Sequence, residues 1–328
     1  MSNKLNKKRE FDITITGDTY AGIHAMPYVT AAVKSPDTVA KGYVRTIDGL
    51  TKSAVINNIA SAAPIVAGGT GSACDFTAGT ALSTTEKVLT LTDFKVAEQI
   101  CRATVFPTWM GQGMDRNGNL PNTFSDFIMS TVAGAAGQQI ENGLWLGKLG
   151  AVVGQKGFLS DTGAFTLAAL GDSILAGADT VVTVEAQTPA GTLAFLGEVY
   201  NKVAADKSAL LGKPGFGFYV GEKVYALYLQ ALAANTTFQG LGSAGNFQNV
   251  TYMGIPLFVC PGMPVHAIVA TYKENLVYGT NNNTDWTEVQ LIPTYMYDGS
   301  DNVRMVMKFA VGVQVAVIGD VVVGHDLV

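Results

Sequence analysis

Tyr252-Met253-Gly254-Ile255-Pro256-Leu257 opens a run that continues through Pro261-Gly262-Met263-Pro264, Ala267–Thr271 and Asn275-Leu276-Val277-Tyr278-Gly279-Thr280. It passes the turn Asp298-Gly299-Ser300-Asp301 and closes on Val303-Arg304-Met305, leading by Phe309, Gly312 and Val313 to Val317. Short runs rich in Val, Ile, Tyr and Phe, cut by Gly, Pro and Asx residues, are the signature of successive strands and turns. The expected strands are Val250–Cys260, Ala267–Thr271, Leu276–Gly279, Glu288–Met296 and Val303–Val323. In the last of these, Arg304, Lys308 and Gln314 sit between apolar residues, as in a strand with one wet face. Its most apolar part, Phe309–Val323, is shorter than the roughly 18 residues a spanning helix needs and contains Gln314 and Asp320.

Upstream the pattern changes. Glu222–Ala234 and Gly191–Lys207 have helical spacing, the second carrying Leu193, Leu196, Val199, Tyr200 and Val203 on one face behind Thr188-Pro189. Phe216–Val220 between them reads as a strand, which makes a strand-then-helix unit. A longer helix is predicted over Asn122–Leu146, from Phe124, Phe127, Ile128, Thr131, Ala135, Ile140, Leu144 and Trp145. Gly134 and Gly137 inside it each cost about 1 kcal/mol relative to Ala, which close packing on another element would justify.

Residues 44–105 form a different unit. Val44–Ile47, Lys52–Ile59, Lys87–Leu91 and Phe94–Cys101 read as β, and they flank Ala60–Thr85, made almost wholly of Ala, Gly, Ser and Thr. Strands on both sides of a soft tip predict a long projecting hairpin in preference to a linker. Residues 1–43 read as an extended arm that begins with Lys4, Lys7, Lys8 and Arg9 and gains its stability by lying on other chains.

Composition narrows the function. Charged residues are 14% and hydrophobic residues 48% of 328, whereas soluble domains carry about a quarter charged. Neutral surface of that kind becomes interface. No apolar run follows the basic N-terminus, so a secretory signal is not read there, and the protein is expected to be soluble and made in a cytoplasm. The net charge of −5 excludes a general nucleic-acid surface, and the basic tail has two readings: a solvated tail that aids solubility, or a local, weak and salt-sensitive contact with DNA.

Chemistry-bearing patterns are sparse. His24, His266 and His325 form no metal or catalytic spacing, and Cys74, Cys101 and Cys260 form no Cys-x-x-Cys. Gly68-Gly69-Thr70-Gly71-Ser72 lacks the Lys-Ser/Thr pair of a phosphate loop. Asp298–Asp301 and Asn281–Asp285 carry oxygen ligands, but turn chemistry explains both. No enzyme, cofactor or metal is expected.

The ordered set of motifs from Tyr252 to Val317 resembles the major capsid proteins of tailed bacteriophages, which share the HK97 fold. The resemblance implies an α+β, HK97-like capsid fold. Residues 1–43 would be its N-terminal arm and 44–105 its E-loop. Residues 106–185 would be the first part of the P-domain, with the spine helix at 122–146. The A-domain would be 186–290, and 291–328 the C-terminal P-domain strands. It implies self-assembly into the pentamers and hexamers of an icosahedral shell that encloses phage dsDNA, in the virion, after synthesis in a host bacterial cytoplasm. Portal and scaffolding or decoration proteins would be partners, with no membrane involved, and Lys4, Lys7, Lys8 and Arg9 would be where packaged dsDNA or a scaffold is touched by weak, non-specific contact. The expected interface is the E-loop strand with Val88, Leu89, Leu91, Phe94 and Val96, laid across a neighbouring subunit. Two other readings are an encapsulin-type nanocompartment shell and, from another class, a β-rich carbohydrate-binding protein. The first would begin with a helix in place of an extended basic arm. The second would show an aromatic groove, whereas Trp109, Trp145 and Trp286 are scattered.

Overall fold

The computed structural model describes residues 19–21, 36–61, 82–101, 122–146, 148–149, 152–153, 157–159, 188–234, 250–264, 267–281 and 288–325. In chain order the main elements begin with β1 (Thr19–Ala21), α1 (Asp37–Ala40), β2 (Arg45–Ile47), β3 (Ser53–Ser61), β4 (Leu82–Thr90) and β5 (Thr92–Cys101). Then come α2 (Asn122–Leu146), β6 (Lys148–Leu149), β7 (Val152–Val153), α3 (Pro189–Asp206), β8 (Phe216–Val220) and α4 (Glu222–Ala234). The remainder are β9 (Thr251–Tyr252), β10 (Ile255–Val259), β11 (Ala267–Tyr272), β12 (Leu276–Thr280), β13 (Glu288–Pro293), α5 (Tyr295–Asp298), β14 (Asn302–Val315) and β15 (Val322–His325).

Two sheets carry the fold. The first has six strands and is organised on the long β14. One edge of β14 pairs with β5 over Val311–Asn302, with Arg304 opposite Gln99 and Phe309 opposite Phe94. Its other edge pairs with β12 over Val311–Val315 and with β13 over Val303–Lys308. β12 and β13 therefore run end to end against one strand. Asn281 closes the gap between them, because its backbone N–H donates to the Ala310 carbonyl at 3.2 Å and its Oδ1 accepts the Ala310 N–H at 2.9 Å. β2 adds in parallel to β12, and β1 in antiparallel to β13.

The second sheet has the order β15-β11-β8-β10-β9. Its central strand β8 is buried at every position, because both faces are covered. Phe216, Phe218 and Val220 turn to α3 and α4, packing with Phe195, Leu196, Val199, Val224 and Tyr228. Tyr219 turns the other way, into a core shared with α2 and the first sheet. A strand buried on both faces reads as a continuous apolar run, as this one does. Thr188 caps α3, its Oγ1 accepting the Gly191 N–H at 3.1 Å, with Pro189 in the first turn. Met253 and Gly254 both have positive φ (48° and 82°), which the two-residue turn of the β9–β10 hairpin requires.

Several expected elements differ in detail. Val303–Val323 is two strands, because the chain leaves the first sheet after Val315 and joins the second at Val322. Glu288–Met296 is a strand to Pro293 and then a helical turn at Tyr295–Asp298. Two strands lie across the division drawn at 290/291: β12, from 186–290, pairs with β14, and β15, from 291–328, pairs with β11. Gly134 is not closely packed, since no heavy atom lies within 4 Å of where its Cβ would stand. The variant Gly134→Ala is therefore expected to raise stability by about 1 kcal/mol through helix propensity, measurable as a higher denaturant midpoint.

The root of the expected arm also belongs to this chain's own core. Val39 and Val44 are buried, the Tyr219 hydroxyl donates to the Tyr43 carbonyl at 2.6 Å, and Tyr43 stacks on Phe258 at 4.6 Å between ring centroids. Burial holds the Tyr219 hydroxyl protonated far above its ordinary range, so it acts as a fixed donor.

Candidate functional site

β3 and β4 pair in antiparallel over nine residues, with Val55 opposite Val88, Ile59 opposite Thr84 and Ser61 opposite Leu82. Side chains alternate between faces along a strand and directly opposed residues share a face. Val55, Ile59, Leu82 and Val88 thus line one face of the hairpin. They are 58%, 67%, 63% and 51% exposed and form two apolar patches, Val55 with Val88 and Ile59 with Leu82, separated by the Asn57–Glu86 pair. Exposed apolar groups gathered on one face mark an interaction site more often than scattered residues do. The other face carries Ala54, Ile56 and Leu89, and at its base Leu89 is fully buried.

The root of the hairpin is seated on a pair of glycines. Gly279 of β12 and Gly312 of β14 are direct cross-strand partners. A Cβ on Gly312 would stand 2.3 Å from the Thr90 carbonyl oxygen, and one on Gly279 would stand 2.6 Å from the Leu89 Cδ2. The missing side chains leave a notch in which Leu89, Thr90 and Leu91 lie over the sheet. Three hydrogen bonds hold them there: Leu91 N–H to Lys52 carbonyl at 2.9 Å, Leu50 N–H to Thr280 carbonyl at 3.1 Å, and Gln314 Nε2 to Val88 carbonyl at 3.0 Å.

The five residues named from sequence are divided by this geometry. Val88 lies on the exposed face. Leu89, Leu91 and Phe94 are inside the subunit's own core, with Phe94 stacked near Phe309 at 5.9 Å, and Val96 is half-buried against that core. Burial within one chain leaves Leu89, Leu91 and Phe94 almost no surface to offer a neighbour, while Val96 keeps part of its own, and the exposed face of the β3–β4 hairpin is carried by Val55, Ile59, Leu82 and Val88. Lys4, Lys7, Lys8 and Arg9 lie outside the described residues, as do the tip at 62–81, Cys74, His24 and His266. Among the described residues no three His, Cys, Asp or Glu groups come together as a metal site, and no helix is long and apolar enough to cross a membrane. Cys101 is exposed, whereas Cys260 is buried, and that burial pushes its thiol up and keeps it protonated. At Asp298 the carboxylate accepts the Ser300 N–H and hydroxyl, which lowers its pKa and accounts for the turn.

No family model matches the chain, and no curated protein matches it. Solved structures do match. A chain of the satellite phage P4 procapsid including the size determination (Sid) protein is 11% identical, with 92% of this chain and 97% of that chain covered at a TM-score of 0.54. Gordonia phage Cozz gives 14% identity, 88% and 86% coverage and a TM-score of 0.51. The capsid of the native GTA particle gives 13%, 90% and 90%, and 0.51. The chain has the HK97-like capsid fold.

Proposed function

We propose that this chain is a major capsid protein, a subunit that assembles into the pentamers and hexamers of an icosahedral shell around the dsDNA of a tailed phage. The observation that carries the reading is the exposed apolar face of Val55, Ile59, Leu82 and Val88, held out from the body on an HK97-like fold. Among the described residues nothing buries these side chains, and a second copy would. In this reading 44–105 is the E-loop lying across a neighbour, and α2 is the spine of the P-domain. The second sheet with α3 and α4 is the A-domain, and 1–43 is the N-terminal arm. The subunit has no catalytic task. Packaged DNA, a portal, and scaffolding or decoration proteins are its partners, and the mature virion is its location.

Low charge suits this role, because interface cores are depleted in charged residues. Apolar burial at about 25 cal/mol per Å², repeated over many equivalent contacts, supplies the free energy against association costs. Expression of the full chain, followed by gel filtration and negative-stain microscopy, is expected to show capsomers or closed shells. A chain that stays monomeric at every concentration, with and without co-expressed phage proteins, overturns the reading.

A further inference from the structure

Glu141 of α2 is only 4% exposed, yet its hydrogen bonds among the described residues all come from neutral donors. Oε2 accepts the Thr38 N–H at 3.1 Å, and Oε1 accepts the Thr38 hydroxyl and, at 3.4 Å, the Gly262 N–H. One helical turn on, Trp145 Nε1 donates to the Thr38 hydroxyl oxygen at 3.4 Å. A buried carboxylate without a cation is a costly choice for stability alone. What it does here is join three segments distant in sequence: the arm root at α1, the long helix, and the loop that leaves β10.

The donors are ones that nothing local can satisfy. Residue 36, which precedes α1, is a proline and gives no side-chain cap, so the Thr38 N–H at the first turn is an orphan donor. Glu141 caps it from another element. Gly262 comes so close to α2 that a Cβ there would stand 2.3 Å from the Glu141 carbonyl oxygen. That contact brings the backbone N–H of the loop within reach of the carboxylate. A cleft of about 520 Å³, lined by Pro36, Asp37, Gly134, Gln138, Glu141 and Pro261 among others, opens beside the junction.

We infer that Glu141 is a latch, a positioning residue that fixes the turn at the arm root, residues 36–44, against the long helix and the loop after β10, and so keeps the subunit competent to join a neighbour in the shell. The second half of this statement rests on the capsid reading; the first does not. The Thr38 hydroxyl, which donates to Glu141 and accepts from Trp145, sets the rotation of the turn.

The test uses the full chain with Glu141→Ala, Glu141→Gln, Thr38→Val and the conservative Thr38→Ser. Amide exchange is followed at 36–44 and 260–264 against β14, and shell yield is measured on the same samples. Glu141→Ala is expected to raise exchange at the arm root by about tenfold or more, as loss of bonds to a charged acceptor implies, with β14 unchanged. Shell yield falls by a similar factor while the chain stays folded. Glu141→Gln falls between wild type and Ala, because its amide must turn an N–H toward donors. Thr38→Ser restores wild-type behaviour, and Thr38→Val, which keeps the Thr38 N–H bond, gives a partial release should the Ala variant fail to fold. An arm root that exchanges at the wild-type rate in Glu141→Ala overturns the latch. A loosened root with undiminished shells overturns its role in assembly. If the wild-type chain makes no shells at all, the capsid reading fails, and the exchange result still stands or falls separately.

Discussion

Replacing Val55, Ile59, Leu82 and Val88 together by Ser leaves a folded chain that no longer forms shells. The four side chains stand on one face of the β3–β4 hairpin, and each is more than half exposed. Their removal therefore withdraws almost nothing from the subunit's own core, and surface changes of this kind stay within about 0.5 kcal/mol. Across an interface the same groups are worth roughly 2 kcal/mol each when fully buried. The loss per hairpin then exceeds the margin by which a reversible capsomer contact holds. Light scattering reads assembly and a thermal melt reads the fold. Shells at the ordinary yield would show that this face is not where neighbours meet. Leu89→Ser is the control with the opposite signature: it empties a fully buried site and should unfold the base of the hairpin first.

Gly312→Ala is expected to cost about 3 kcal/mol, the upper end for one overpacked methyl, while Gly279→Ala costs about 1 kcal/mol. The two positions are cross-strand partners with similar crowding by distance, so the contrast tests the mechanism. At Gly312 the new methyl meets backbone, the Thr90 carbonyl at 2.3 Å, and backbone cannot yield without lifting the hairpin root off the sheet. At Gly279 it meets the ends of Leu89, Leu50 and Leu91 side chains, which can change rotamer. Urea denaturation orders the two variants. Equal costs would mean that the notch relaxes as a whole and does not set the angle at which the hairpin projects.

Much of this was legible in the residues. The Asn122–Leu146 and Glu222–Ala234 helices have the ends read from their apolar period, and the HK97-like fold inferred from the Tyr252–Val317 motifs is the fold observed. The division of Val303–Val323 between two sheets was not legible. β14 alternates from Asn302 to Phe309 but is continuously buried from Phe309 to Val313, and β15 is buried too, so no alternation marks where the first strand stops and the second begins. The hairpin's outward face escaped notice for a related reason. Val88 and Leu89 are adjacent and equally apolar, and only the register with β3 tells which of them looks outward. Glu141 gave no signal at all, because a glutamate in a helix is ordinary until Thr38, 103 positions earlier, is seen beside it.

The place of β14 at the centre of the first sheet also sets a clock on synthesis. Its partner β5 lies about two hundred residues earlier, Arg304 and Gln99 being 205 positions apart, and pairings of such separation form late. A nascent chain still on the ribosome before Gly312 has emerged holds its hairpin without the notch that aims it, and its second sheet without β15. Such a chain offers neighbours no correctly set contact. On the capsid reading, assembly therefore waits until β14 has emerged and paired.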